Sequence, residues 1–136
     1  MFDPIILQKI DSINRCVARI EQKRPGTLQL LQNDIDLQDI ITVNLERAVQ
    51  QCVDIAMIVL SYRELPVPST MSEAFDELQQ LGIITESICG NMKSAVGFRN
   101  AVVHAYRKID WSIVWDIISG RLTDFKDFAG QILNSK

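Results

Sequence analysis

Two side chains near residue 100 have the types and the spacing to perform acid–base chemistry on a phosphate. His104 is the only histidine of the chain, and Arg99 lies five positions before it in the stretch GFRNAVVHAY (97–106). Cleavage of RNA by its own 2′-hydroxyl requires a group that removes a proton, a group that protonates the leaving oxygen and a cation that stabilises the phosphate. Histidine transfers protons near neutral pH, and the arginine fork binds two phosphate oxygens. The pair therefore suits phosphodiester chemistry.

The charges around this pair are all of one sign. The chain has a net charge of −3, yet no acidic residue occurs between Glu86 and Asp110. Surface cations at a helix end would give the same pattern, because they stabilise the negative end of the helix dipole. Charge alone leaves that reading open beside a binding function for RNA. We call the residues of this interval that carry or can carry positive charge the basic window: Lys93, Arg99, His104, Arg107 and Lys108.

The spacing of the pair sets a geometric condition. Side chains five positions apart on an ideal helix point about 140° away from each other. One straight helix therefore does not direct Arg99 and His104 at the same atom. Either the helix distorts near the motif, or two copies of the segment meet across a symmetric dimer. Such a homodimer would also supply a second histidine, so that one acts as base and the other as acid.

Other chemistries of helical proteins lack the residues they need. A di-iron site requires two histidines, and a phosphate loop requires a glycine-rich motif, neither of which the chain contains. A nucleophilic pair of Cys89 and His104 would span about 22 Å of one helix. The three cysteines, which also include Cys16 and Cys52, are widely spaced, as is typical of buried free thiols in a reducing compartment. We expect neither a metal nor a cofactor.

Length and composition are those of an ordinary globular domain. The 136 residues are 47% hydrophobic and 23% charged, and no apolar run approaches the length of a membrane span. The first residues lack the pattern of a signal peptide. The acidic pI of about 5.1 argues against a general coat for nucleic acid, whose affinity comes from many phosphate contacts. We expect one domain over residues 1–136, located in the cytoplasm.

Apolar residues recur with the helical period along nearly the whole chain. Pro25 and Gly26 end the first helix, and Thr70 with Glu73 forms the capping-box pattern that opens a later one. The predicted segments are a first helix that ends at 23–27, a short turn at 28–32, a long helix at 36–62, a loop at 64–70, a helix at 71–81, a helix capped by Thr85, and a last helix that starts after Asp110 and continues to Phe128. The sequence thus predicts an all-α antiparallel bundle of four to five principal helices.

Three blocks of the sequence resemble the HEPN domains, specifically the HepT-like toxins. Arg99, Asn100, His104 and Tyr106 match the R-x4-H-x-Y signature of that family, with its polar residue after the arginine. The resemblance extends over nearly the whole chain in the family's order and spacing. The blocks are VNLERAVQQCVDIA (43–56), AFDELQQLGIIT (74–85) and GFRNAVVHAYRKIDWSIVWDII (97–118).

The resemblance implies a metal-independent endoribonuclease that is the toxin of a type VII-like toxin–antitoxin pair and leaves a 2′,3′-cyclic phosphate. It implies a homodimer in which two motifs share one cleft, with Arg99 and His104 as the catalytic pair and Asn100 in support. The implied partner is an MntA-like nucleotidyltransferase antitoxin, which neutralises the toxin by attaching AMP to Tyr106. For Lys93, Arg107 and Lys108 we expect contacts with the RNA backbone.

Two other functions remain open at this level. A HEPN bundle could be a non-catalytic interaction module that binds the nucleotidyltransferase and is modified by it. A helical domain that binds the phosphate of a free nucleotide through the basic window is a further alternative. The identity of the RNA, whether mRNA or tRNA, is not carried over from the family.

Overall fold

A computed structural model describes residues 3–104 and 108–135. Within these residues the chain forms seven helices and no strand, which confirms the all-α prediction. The helices are α1 (Pro4–Lys23), α2 (Leu28–Asn33), α3 (Ile35–Ser61), α4 (Met71–Gln80), α5 (Glu86–Val103), α6 (Trp111–Gly120) and α7 (Thr123–Asn134).

Side-chain caps fix where the helices near the basic window begin. The Thr70 hydroxyl accepts a hydrogen bond from the Glu73 amide at 3.1 Å, and the Glu73 carboxylate accepts one from the Ser69 amide at 2.8 Å. The capping box is thus confirmed, with its return bond on Ser69. Thr85 accepts from the Ile88 amide at 3.3 Å, as predicted for the start of α5. These bonds define the first residue of α4 and of α5.

Two of the predicted segments were wrong in detail. The short turn at 28–32 is the helix α2, and the single last helix is two helices that are interrupted at Arg121 and Leu122. Gly120 weakens the helix there, and the Arg121 amide closes it on the carbonyl of Ile117. The apolar residues keep the helical spacing across the break, so periodicity alone did not reveal it. These two changes raise the number of helices above the expected four to five.

The core is one cluster of apolar side chains around α3. The helix α1 packs along α3, and α4 and α5 also pack against α3. Ile13 and Ile20 of α1 are fully buried, and the rings of Phe75 and Phe128 meet edge to face at 5.7 Å. Trp115 is partly buried and packs against this cluster.

The helices α4 and α5 form an antiparallel hairpin. They are joined by a short turn in which Gly82 has a φ of 74°, a conformation that glycine adopts without strain. Because the hairpin is antiparallel, the end of α5 lies beside the start of α4. None of the helices in the described ranges is both long and apolar enough to cross a membrane.

Candidate functional site

The motif arginine and histidine lie at the carboxyl end of α5. Arg99 and Asn100 belong to the last turn of the helix, and His104 is its C-cap residue. The His104 amide donates to the carbonyl of Asn100 at 3.1 Å, the bond that continues the helical pattern. The ψ angle of 72° at His104 then directs the chain away from the helix axis.

The helix is regular up to the histidine. Residues 86–103 are helical without interruption, and the φ angle of −84° at His104 stays near the helical value. Of the two alternatives that the spacing left open, distortion of the helix before His104 is therefore absent from the described part of α5. The angle of about 140° between the directions of Arg99 and His104 still applies within one chain.

Arg99 carries a positive charge that no described carboxylate neutralises. Its Nη1 atom lies 3.4 Å from the Oδ1 atom of Asn100 and 3.8 Å from the Sδ atom of Met71, and no described ion pair includes it. Its Nε atom is buried and has no hydrogen-bond acceptor among the described residues. A partly buried guanidinium with spare donors attracts a phosphate strongly, because its charge is screened by little water.

Asn100 and His104 are both exposed. The carboxamide of Asn100 touches the guanidinium, which places it where the family motif has its polar residue. An exposed imidazole is accessible to a hydroxyl group of a bound substrate. The described geometry therefore places two donor groups beside each other, Arg99 and Asn100, with the histidine one turn further on.

The other members of the basic window differ in their surroundings. Lys93 Nζ lies 2.9 Å from Asp76 Oδ1, so its charge is paired across the α4–α5 hairpin. Lys108 is exposed. The predictions for Tyr106 and Arg107 lie outside the described residues.

A stripe of small residues follows one exposed face of α5. It begins at Gly90, its members recur at intervals of four, three and four residues, and a further step of three residues reaches His104. A Cβ atom added at Gly90 or Gly97 would have no atom within 4 Å, so nothing in the chain itself requires glycine there. Glycine inside a helix costs about 0.5–1 kcal/mol relative to alanine. The stripe comprises Gly90, Ser94, Gly97 and Ala101.

A groove of about 240 Å³ lies between α5, α6 and α7, and sequence reasoning did not find it. Its apolar walls include Met92, Ile113 and Ile117, and its polar end is a set of hydrogen bonds centred on Asn91. The Asn91 side chain donates to Asp124 at 3.1 Å and accepts from Arg121 at 3.2 Å. These residues are far apart in the sequence and have no motif spacing, so no local pattern joins them.

The three cysteines are buried free thiols, as predicted. Burial raises the pKa of each, most strongly at Cys52. Since α5 is continuous from Glu86 to Val103, Cys89 and His104 lie at opposite ends of one helix and do not form a nucleophilic pair. No group of three metal-binding side chains is present in the part of the chain that the structure describes.

The fold and the site define a helical bundle in which an arginine without a described carboxylate partner and an exposed histidine lie at the end of one helix. Comparison with known proteins is consistent with that class: the family model described as ribonuclease HepT-like matches residues 13–132. The chain belongs to the HepT-like ribonuclease family.

Two curated proteins of this family cover almost the same length. The chain is 36% identical over 128 residues to the mRNA nuclease HepT of Shewanella oneidensis, which spans 94% of this chain and 96% of the relative. It is 27% identical over 131 residues to the tRNA nuclease HepT of Aphanizomenon flos-aquae, which spans 96% of this chain and 89% of that relative. One relative is thus named as a nuclease of mRNA and the other as a nuclease of tRNA.

Solved structures share the fold along nearly the whole chain. One is a tri-AMPylated Shewanella oneidensis HEPN toxin in complex with MNT antitoxin, with a TM-score of 0.90, 34% identity and coverage of 97% of this chain and 98% of that chain. Another is a toxin–antitoxin structure with AMP-PNP, with a TM-score of 0.88, 34% identity and coverage of 96% and 99%.

Proposed function

We propose that the protein is a metal-independent endoribonuclease and the toxin of a type VII-like toxin–antitoxin pair. The observation that carries this proposal is the guanidinium of Arg99, uncompensated by any described carboxylate, on the last turn of the helix that ends at the exposed His104. Membership of the HepT-like ribonuclease family and the nuclease names of two relatives support it. The substrate would be met in the cytoplasm, where mRNA and tRNA both occur.

The reaction uses few groups. The imidazole of His104 removes the proton of a ribose 2′-hydroxyl, and that oxygen forms a bond to the adjacent phosphorus. The bond between phosphorus and the 5′-oxygen breaks, and the leaving oxygen receives a proton from a second imidazole. Arg99 stabilises the charge that develops on the phosphate, and Asn100 orients the phosphate or the histidine. The products are a 2′,3′-cyclic phosphate and a 5′-hydroxyl.

The second imidazole comes from a second copy of the chain in this proposal. Because His104 is the only histidine of the chain, a site with two histidines requires two protomers. The angle of about 140° between Arg99 and His104 on a regular helix also favours a site to which a second chain contributes. The small residues along α5 support this arrangement, because small side chains allow another helix to approach closely. Their stripe ends at His104, which would bring the histidine to the border between the two copies.

The partner in this proposal is an MntA-like nucleotidyltransferase, which neutralises the toxin by transferring AMP from ATP to the hydroxyl oxygen of Tyr106 with release of pyrophosphate. The related solved structure of a tri-AMPylated HEPN toxin with its MNT antitoxin supports this regulation. Each transfer adds a negative phosphate two residues from His104. Such phosphates compete with RNA for Arg99, since both are anions that the guanidinium binds.

Cleavage of total RNA in the presence of EDTA tests the proposed activity. The wild type should produce fragments with 2′,3′-cyclic phosphate ends, and His104→Ala and Arg99→Ala should not, at unchanged dimer content. Arg19→Ala, which removes an exposed arginine of α1, is the matched control and should cleave like the wild type. Intact RNA with a folded wild-type dimer would reject the nuclease and favour the non-catalytic interaction module.

Incubation with the cognate transferase, ATP and Mg²⁺ tests the regulation. Intact-protein mass spectrometry should detect increases in steps of one AMP in the wild type and none in Tyr106→Phe. Tyr62→Phe is the matched control, because Tyr62 is the other tyrosine of the chain and its side chain is 63% exposed. Mass increases that persist in Tyr106→Phe and disappear in Tyr62→Phe would reassign the modified residue.

A further inference from the structure

Met71, the first residue of α4, contacts the guanidinium of Arg99 across the α4–α5 hairpin. The Arg99 Nη1 atom lies 3.8 Å from the Met71 Sδ atom, and the arginine side chain is partly buried there. A thioether is a weak hydrogen-bond acceptor without charge. The contact therefore fixes the guanidinium and leaves its positive charge available.

The acidic residues of α4 nearest to Met71 in sequence have other partners. The Glu73 carboxylate accepts from the Ser69 amide at 2.8 Å as part of the capping box. The Asp76 carboxylate binds Lys93 at 2.9 Å. Both carboxylates are thus engaged beside α4 while Arg99 meets the thioether. The same capping box fixes where α4 begins, and so fixes the position of Met71.

The buried Nε atom of Arg99 gives this contact an electrostatic consequence. Nε has no acceptor among the described residues, and its burial removes water that would otherwise screen the charge. A charge with less solvent around it interacts more strongly with an incoming anion. An apolar neighbour such as Met71 contributes to that effect, whereas a carboxylate at the same place would cancel it.

We propose that Met71 is a positioning residue for RNA cleavage: its thioether holds the Arg99 guanidinium, uncompensated, in the orientation that receives the scissile phosphate. This inference rests on the proposed nuclease function. Because Met71 acts through Arg99, a change at Met71 has an effect on cleavage only while the arginine is present.

A double-mutant cycle measures this dependence. Met71→Ala should lower kcat/KM about ten- to a hundredfold, the scale on which misplacement of a catalytic group acts. Met71→Leu, which keeps an apolar side chain of similar volume, should restore most of the activity. Met71→Glu should reduce activity as far as Arg99→Ala does, because the new carboxylate pairs with the guanidinium. In the Arg99→Lys background, Met71→Ala should have little further effect.

Met57→Ala is the matched control, since Met57 is a partly buried methionine that packs against the core from α3. It should lower thermal stability and leave kcat/KM of the folded protein unchanged. The proposal is overturned if Met71→Ala reduces kcat/KM by the same factor in the wild-type and Arg99→Lys backgrounds. It is also overturned if Met71→Ala cleaves like the wild type.

The NMR signal of the Arg99 Nε–Hε group separates this inference from the nuclease proposal. Titration with inorganic pyrophosphate should shift that signal in the wild type. In Met71→Ala the pyrophosphate concentration that gives half of the shift should be at least tenfold higher. Equal titration curves would overturn the positioning role whether or not RNA is cleaved. Failure of the wild type to cleave RNA, together with the expected difference in titration, would reject the nuclease and retain Met71 as the residue that positions Arg99.

Discussion

Lys93 Nζ lies 2.9 Å from Asp76 Oδ1 and ties the middle of α5 to α4. Both side chains are about two-fifths exposed, at 42% and 40%, so the pair lies at the surface of the hairpin. The hydrogen bond to Asp76 raises the pKa of Lys93. An RNA phosphate at this position would compete with a carboxylate that is already bound.

Charge-removing substitutions at two lysines should therefore differ in their effect on RNA binding. Lys108→Met should reduce the slope of log Kd against log salt concentration by about 0.7, the value for one phosphate contact on a single strand. Lys93→Met should leave the slope unchanged, because its charge is paired with Asp76. Binding is measured in the His104→Ala background, which does not cleave. An equal decrease in Lys93→Met would support the sequence-based prediction that Lys93 also contacts RNA.

Gly97→Leu should prevent dimerisation and leave the fold of the single chain intact. A Cβ atom added at this position meets no atom within 4 Å, and leucine favours the helix over glycine by about 0.5–1 kcal/mol. We expect a folded, slightly more stable monomer without nuclease activity, detected by light scattering and by RNA cleavage. Gly130→Leu in α7, where a Cβ atom is equally free, is the control and should remain dimeric. An active dimer of Gly97→Leu would remove α5 from the interface.

The cysteines should react slowly with a thiol reagent while the protein is folded. Cys52 is fully buried, and burial raises the pKa of all three thiols, so little thiolate is present at pH 8. Reaction with Ellman's reagent should therefore be limited by unfolding and become complete only in denaturant. Cys16 should react first, because it is the most exposed of the three at 6% and the charges of Arg47 and Arg15 oppose the rise of its pKa. Rapid modification of Cys52 in the native protein would contradict the described core.

Asn91→Ala should destabilise the protein more at pH 7 than at pH 3.5. Partial burial raises the pKa of Asp124, and the hydrogen bond from Asn91 opposes that rise. Since the folded state binds this proton more tightly than the unfolded chain, stability falls as the pH rises from 3.8 through the folded pKa. Loss of Asn91 extends that fall to higher pH. Urea unfolding measures the loss of unfolding free energy in Asn91→Ala at each pH. This loss should be on the order of 1 kcal/mol at pH 7 and smaller at pH 3.5.

Asn33→Ala provides the control for this pH dependence. The Asn33 side chain donates to the carbonyl of Gln29, a group that does not titrate. Its loss should have the same cost at both pH values. A pH-independent cost of Asn91→Ala would show that the charge of Asp124 contributes nothing to the stability of the groove.

Local signals in the sequence predicted most of the helices. The side chains of Thr70, Thr85 and Asp110 each accept a bond from an amide two or three residues later, and so each determines a helix start from within a few residues. The prediction of one continuous last helix was wrong, because the apolar spacing continues across Arg121 and Leu122. The helix ends there at Gly120 and Arg121, and Leu122 beyond the break is still buried in the core, so the apolar spacing conceals the break.

The site was predicted only as far as its residues lie close in sequence. Arg99, Asn100 and His104 lie within the last turn of α5 and its end, so their motif spacing was sufficient to propose them as site residues, and their roles stay a prediction. The contact of Met71 with Arg99 and the hydrogen bonds of Asn91 in the groove were not predicted, because they join α4 to α5 and α7 to α5 over many residues. No short pattern encodes such pairs, so they emerge only when the helices pack.

In the proposed dimer, the exposed face of α5 at Gly90 and Gly97 has a consequence for gene dosage. An active unit built from two copies along this face forms in proportion to the square of the free protein concentration when the protein is scarce. Small leaks in expression would then produce far less RNA damage than a linear response, and a burst of synthesis would produce far more. RNA cleavage in the cell would then have a threshold in toxin concentration, and the small residues on one face of α5 would determine that threshold.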